Sequence, residues 1–237
     1  MKSGAVRALV EQAAAPYRKS GRFAWHFARG KLGHDPVFSS LLQQGLFQTP
    51  VSILDVGCGQ ALLAHWLVAA AQSSAAGHLP AGWSDVAPYR HYSGLDLMAA
   101  DIRRGETSMP ERARLTCADM CSAPFQAAER IILLDVLHYV SPGQQCHVLD
   151  KVKAALTPEG CFILRVGDAS AGWRAWQSRM TDQLVMLGRG RGWGTLHARP
   201  LTEWVELLEA RGFTVESIPM HDGPALGNTL LIARHAA

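Results

Sequence analysis

The sequence predicts an α/β fold: a seven-stranded, mostly parallel sheet with helices on both faces, preceded by an N-terminal helical cap. Three observations predict it. Val51, Ile53, Leu54 and Val56 form a short apolar run that breaks at Gly57-Cys58-Gly59, after which Ala61, Leu62, Trp66 and Leu67 recur at helical spacing. Further apolar runs at His91–Leu97, Arg114–Ala118, Arg130–Val140 and Cys161–Val166 alternate with helix-like stretches, the pattern of a parallel sheet. The last two runs, Phe213–Ile218 and Asn228–Ala233, have no helix between them and read as a closing antiparallel pair.

The elements follow in order. Val6, Leu9, Val10 and Ala13 suggest a short first helix ending near Pro16, and Arg18–Lys31 a second. On that second helix Phe23 and Phe27 share one face, while Arg22, His26 and Arg29 fall on another. Asp35-Pro36 reads as an N-cap followed by proline at the first helical position, opening Val37–Phe47. The helix after the glycine turn runs to about Ala71, and Gln72–Arg90, rich in Ser, Ala, Gly and Pro, reads as an insertion. Helix-like Met98–Arg104 follows the second strand. Ser141-Pro142 starts the helix centred on Val148–Leu156. Gly167–Arg199 replaces a short crossover and carries Trp173, Trp176, Met180, Leu184 and Leu187 at helical steps before an arginine–glycine run. Leu201–Ala210 is the last large helix, stopped by Gly212. The expected organisation is a cap over 1–48 and one core domain over 49–237, with a lid insertion at about 167–199.

The glycine turn admits two readings. Glycines permit positive φ and leave no side chain between backbone and ligand, and the next helix aims its N–H groups into that gap. A dinucleotide site wants glycine or alanine as the third small residue, where Leu62 stands, and Asp55 would repel a pyrophosphate. An acid at Asp55, ahead of Gly57-Cys58-Gly59 and between a strand and a helix, resembles the first motif of class I S-adenosylmethionine (AdoMet) methyltransferases. The likeness extends along about Val51–Ala233.

The resemblance implies AdoMet as cofactor and assigns roles to matching positions. Asp55, Gly57, Cys58 and Gly59 form the turn. Asp96, ending the second strand, takes both ribose hydroxyls, because a carboxylate accepts two hydrogen bonds, and Leu97 lies against the adenine. Asp85 is nearer the usual spacing but sits in loop composition between Ser84 and Pro88. Asp119 accepts from the adenine amino group and Met120 donates its backbone N–H. Asp135, read at the carboxyl end of the fourth strand, forms the other flank of the crevice. Arg29 and Lys31, on a helical cap over the pocket, are candidates to pair with the methionine carboxylate; plain surface charge is the commoner explanation.

Catalysis of methyl transfer rests mainly on positioning, and a base is needed only for a protonated acceptor. His138 is the candidate base, since imidazole titrates near neutrality, and Tyr139 orients substrate; the alternative is a pocket-wall histidine. His26, Trp173 and Trp176 are candidate substrate contacts, though an apolar helical stripe is more often core. His197 lies on another segment that could cover the site. No cluster of acids, cysteines and histidines has metal-ligand spacing, so no metal is expected.

Bulk properties bound the partners. The 237 residues, 48% hydrophobic and 18% charged, fit a folded globular chain rather than a disordered one. Five cysteines without framework spacing suggest reduced thiols and a cytoplasmic location, and the longest apolar stretch, Ala61–Ala71, is too short for a membrane span. Residues 1–33 hold seven Lys/Arg against Glu11, a net of +6; the whole chain is +3, so the remainder is −3. A solvated helical arm explains this excess; contact with an acidic partner or substrate, or a transit peptide, which the aromatic residues built into the segment argue against, are the alternatives.

The segment Arg29-Gly30-Lys31, with Asp35-Pro36-Val37-Phe38 after it, resembles methyltransferases of polyketide, fatty-acid-like or aryl-polyene pathways. That resemblance implies an O- or C-methyltransferase of secondary metabolism. Its small-molecule substrate would be apolar, aromatic or acyl, either free or on an acyl carrier protein. A monomer or homodimer is expected. Two alternatives stand beside it. An RNA methyltransferase lacks support from an Asn-Pro-Pro-Tyr-type motif or an RNA-binding module, so nucleic acid is not an expected partner. The other is a non-catalytic AdoMet-binding partner subunit.

Overall fold

The computed structural model describes residues 4–167, 196–220 and 228–236. Their seven strands belong to a seven-stranded, mostly parallel sheet. The chain divides into two compact units, Met1–Ala123 and Pro124–Ala237.

The first unit begins with helices. α1 spans Gly4–Ala14, a 3-10 turn Ala15–Ser20, α2 Arg22–His34 and α3 Pro36–Gln43. Asp35 Oδ1 accepts the Val37 N–H at 3.0 Å, so the aspartate–proline pair opens α3 as its chemistry requires. β1 (Ser52–Val56), β2 (His91–Asp96) and β3 (Ala113–Cys117) lie parallel in the order β3-β2-β1, with Val56 opposite Leu95 and Asp96 opposite Cys117. α4 (Leu62–Ala75) and α5 (Ala99–Glu106) are the crossovers. The insertion after α4 is tied down: the Ala87 N–H donates to Phe47 O at 2.8 Å, and Val86 and Tyr89 are buried.

The N-terminal helices are part of this unit's core. Trp66 of α4 is fully buried, and its Nε1 donates to the Phe38 carbonyl at 2.8 Å. Truncating so large a buried side chain costs about 3–5 kcal/mol. Ala24, Ala28 and Leu32 give α2 a buried stripe of mostly small residues, which lets the helix approach closely.

In the second unit β4 (Ala128–Leu134) runs parallel to β5 (Leu156–Gly167), and β7 (Asn228–His235) is antiparallel to both β5 and β6 (Phe213–Pro219), giving β4-β5-β7-β6. α6 (Pro142–Ala155) opens on a capping box: Ser141 Oγ accepts the Gln144 N–H, and the Gln144 side chain takes the Ser141 N–H. α7 is Leu201–Glu209.

Several boundaries differ from the sequence pattern. Arg18–Ser20 belongs to the 3-10 turn, so α2 starts only at Arg22 after Gly21 turns to φ 102°, and α3 ends at Gln43 rather than Phe47. The fourth apolar run does not continue as strand to Val140; β4 ends at Leu134, Asp135 turns to φ 57°, and Leu137–Tyr139 is a 3-10 turn. β5 starts at Leu156 rather than Cys161, because Leu156 already pairs with Ala128 across an irregularity. Gly160 permits that bend, since a Cβ there would stand 2.7 Å from the Thr157 carbonyl oxygen.

Candidate functional site

At the end of β1 the chain turns through Gly57 (φ 80°), Gly59 (φ 56°) and Ala61 (φ 59°) into α4. The N–H groups of Gly57 and Cys58 both donate to the Leu95 carbonyl, at 2.7 and 3.1 Å. Asp96 completes the turn. Its Oδ2 accepts the Gly59 N–H at 2.9 Å and its Oδ1 the Met98 N–H at 2.7 Å. Each oxygen keeps a further lone pair, and a carboxylate so held is already oriented for two more donors. Asp85, the nearer acid by spacing, lies in the loop and accepts from Ser74 Oγ at 3.0 Å.

The loop after β3 joins this cluster. The Ala118 N–H donates to Asp96 O at 3.0 Å, and Asp119 Oδ1 takes the Cys121 N–H at 2.9 Å. Met120 follows, partly exposed. Leu97 is 45% exposed although it is large and apolar. Thus Gly57–Gly59, Asp96, Leu97, Asp119 and Met120, expected on separate motifs, do come together.

The turn is braced from behind. The Tyr17 hydroxyl donates to Gln60 O at 2.8 Å, and Gln60 Nε2 donates to Ala24 O at 3.1 Å. Gly105 of α5 lets that helix against the turn, since a Cβ there would lie 3.0 Å from Gln60 O. Gly94 does the same for Cys58, whose Sγ would lie 2.8 Å from an added Cβ.

Asp55 is turned into this core: it is 4% exposed and accepts a short hydrogen bond from the Tyr92 hydroxyl. Burial, with Asp96 adding and Tyr92 opposing, pushes its carboxyl up to about 7. Burial likewise raises the Cys58 thiol, with Asp55 and Asp96 adding, so Cys58 stays a neutral thiol beneath the turn.

The other cap residues have partners. Arg29 pairs with Glu11 at 2.6 Å and Lys31 with Asp35 at 2.7 Å. His26 is exposed on α2 with its ring 4.6 Å from Trp25. Trp173 and Trp176 lie outside the described residues.

The second unit holds His138 and Tyr139 in the turn after β4, their rings 4.1 Å apart. Asp135 is committed to the buried Arg165, whose Nε donates to Oδ1 at 2.8 Å with a second contact from Nη2 to Oδ2. Gln145 of α6, fully buried, sends Nε2 toward the carbonyls of Leu137, Val140 and His197 at 3.1, 3.2 and 2.8 Å. Its Oε1 accepts from Arg199 Nε at 2.6 Å, and the His197 N–H donates to His138 O at 2.8 Å. Leu137, His138, Arg165, Gly167 and Trp204 line a small cleft inside this frame. The sequence reading missed Gln145, Arg165, Arg199, Tyr17 and Gln60. Only Arg165 carried a signal, a lone charge in the apolar run Cys161–Val166 that must find a buried partner. Among the described residues, no group of acids, cysteines and histidines could hold a metal ion. None of their helices is long and apolar enough to cross a membrane.

A glycine turn between parallel strand and helix, with a carboxylate at the neighbouring strand end, defines a nucleoside-binding α/β enzyme class. The family is then shown by sequence: residues 7–218 match the methyltransferase domain family, and the chain belongs to it. A search of curated proteins finds no match. In fold the chain is similar to an O-methyltransferase family protein from Burkholderia thailandensis, at TM-score 0.61 and 16% identity over 93% of this chain and 62% of that one. It is similar to human N-acetylserotonin methyltransferase in complex with SAM, at TM-score 0.59 and 17% identity over 96% and 59%. It is also similar to magnesium protoporphyrin IX methyltransferase from Synechocystis PCC 6803 with bound SAH, at TM-score 0.60 and 14% identity over 98% and 98%. The chain thus spans 62% and 59% of the first two proteins' lengths. The fold is that of class I methyltransferases.

Proposed function

We propose that the chain is an AdoMet-dependent methyltransferase acting on an oxygen or carbon atom of a small apolar, aromatic or acyl molecule. The observation that carries this is Asp96, its two oxygens fixed by the Gly59 and Met98 N–H groups beside the exposed Leu97. Those groups suit a nucleoside: a carboxylate for two hydroxyls, an apolar side chain for a base. At Gly59 an added Cβ would meet nothing within 4 Å, so the backbone there borders open space that a ligand can fill. Bound AdoMet supplies an activated sulfonium methyl.

This chain's residues then have separate tasks. Gly57–Gly59 keep side chains out of the way, Asp96 orients the ribose, Leu97 and Met120 flank the adenine, and Asp119 accepts from its amino group. Asp55 acts by supporting β1 and β2 from within. His138 takes the proton of a hydroxyl acceptor, held by the Gln145 frame, with Tyr139 beside it. Asp135 serves by positioning Arg165. Arg29 and Lys31 would have to exchange their carboxylate partners to meet the methionine carboxylate. The named acceptors of two fold relatives, N-acetylserotonin and magnesium protoporphyrin IX, support the small-molecule class. A carrier-bound acyl group is included because Glu11 is the one acid among residues 1–33.

The test is transfer of label from methyl-labelled AdoMet to a panel of phenols and acyl thioesters. Transfer is expected, and His138→Ala should lower kcat toward a hydroxyl acceptor about 100-fold. AdoMet binding without transfer to any acceptor would instead favour a partner subunit.

A further inference from the structure

α2 is used on both sides. Ala24, Ala28 and Leu32 are buried, whereas Arg22, Phe23, His26 and Phe27 form a continuous exposed stripe at i, i+1, i+4 and i+5. Phe23 is 64% and Phe27 38% exposed, and their rings lie nearly parallel with centroids 6.1 Å apart. Among the described residues, the exposed large apolar side chains are these two and Leu97. The surroundings are cationic. α2 contains no acid, Arg18 and Lys19 are exposed just before it, and the Arg104 guanidinium of α5 lies 4.8 Å from the Phe23 centroid. Paired aromatics ringed by arginines have the composition of a binding anchor rather than of ordinary surface.

We propose that this face of α2 docks an acidic protein surface: an apolar ridge covering Phe23 and Phe27, flanked by carboxylates for Lys19 and Arg22. Charge complementarity sets the sign, since residues 1–33 carry +6 while the rest of the chain carries −3. The local geometry selects among anionic partners. A bilayer would have to take in Arg104 with the ring it covers, which is costly in hydrocarbon. RNA bases need a free aromatic face, and those of Phe23 are taken up by Arg104 and Phe27. A second copy of this chain would set the same basic stripe against itself. An acidic protein can cover both rings and pair Lys19 and Arg22, while Arg104, held by Asp101 at 2.7 Å, adds a donor only by sharing its guanidinium with that acid. Docking here would hold whether or not the chain transfers a methyl group.

The test uses the full chain and a fluorescein-labelled synthetic helix with leucines along one face and glutamates on both sides. Anisotropy is read at low and at physiological salt. The acidic helix should bind, more tightly at low salt, and F23S/F27S should weaken it at least about tenfold. Arg22→Glu should weaken it several-fold, while Arg234→Glu, on β7, should leave it unchanged. Thermal unfolding of these variants should match the parent, because the replaced side chains are exposed. The proposal is overturned if the acidic helix does not bind, or if F23S/F27S binds it as the parent does. It is equally overturned if a lysine version of the helix, polyuridylate or phosphatidylglycerol vesicles bind in its place with the same dependence on Phe23 and Phe27, or if the two rings instead drive self-association.

Discussion

The turn after β1 and the turn after β4 both follow a parallel strand, yet they are built in opposite ways. After β1 the chain uses glycines, backbone N–H groups and one carboxylate, Asp96, and borders open space at Gly59. After β4 it uses side chains: Asp135 locked to Arg165, and Gln145 gathering three carbonyls and Arg199. A surface of bare backbone suits a ligand common to every turnover. A surface of fixed side chains suits the choice of acceptor. Substitutions after β4 should therefore damage the fold, and those after β1 should damage binding.

The largest stability effect is expected in the second region. Gln145→Met keeps the volume but removes the donor to the Val140 and His197 carbonyls and the acceptor for Arg199 Nε, and should cost about 3 kcal/mol by denaturant unfolding. A loss under about 1 kcal/mol would mean that the frame is incidental. Next comes the Asp135–Arg165 pair, which is asymmetric, with side chains 31% and 3% exposed. Asp135→Asn leaves a buried charge short of its carboxylate and should cost about 2–3 kcal/mol, more than Arg165→Met, which leaves only a half-exposed acid. The reverse order would show that the buried guanidinium is satisfied without Asp135.

In the first region Gly59→Ala should cost only about 1–2 kcal/mol, for the left-handed backbone, because the added methyl meets nothing. AdoMet affinity measured on the same variant should nevertheless fall about tenfold or more. A stable variant with full affinity would remove the glycine turn from the site.

The remaining effect is a slope, in which two opposed contributions largely cancel. Asp55, at about 7 when folded against 3.8, contributes stability at low pH that is lost as pH rises from about 4 to 7. His65 is pushed down to about 4 by burial, so its contribution is present above 6.5 and lost as pH falls toward 4. The two slopes oppose. Asp55→Asn keeps an acceptor for Tyr92 and should leave the His65 limb alone, so that stability rises with pH between 4 and 6.5 more steeply than in the parent. Identical pH profiles would show that Asp55 does not titrate as its burial requires.

Features written in adjacent residues were legible from the sequence. Asp35-Pro36 and Ser141-Pro142 cap their helices as read, and Asp96 ends its strand, because caps and strand ends depend on neighbours. Long-range choices were not. β4 stops at Leu134, short of the apolar Val136, Leu137 and Val140, because Asp135 turns to meet Arg165, thirty residues away. Arg29 and Lys31 read as available charges, but their acids lie eighteen residues before and four after. Gln145 gave no sign, since its partners are mostly backbone carbonyls that any sequence supplies. The same limit explains Asp55, whose orientation depends on Tyr92 in another strand.

The central claim is that Asp96 and the glycine turn hold the nucleoside of AdoMet, and calorimetric titration tests it most directly. The parent chain should bind both AdoMet and S-adenosylhomocysteine. Asp96→Asn, whose amide keeps one oxygen for the Gly59 and Met98 N–H groups, should lose about 1–3 kcal/mol of stability, stay folded, and bind each about 10- to 100-fold more weakly. Equal affinity in the two chains, or no binding by the parent, would contradict the account.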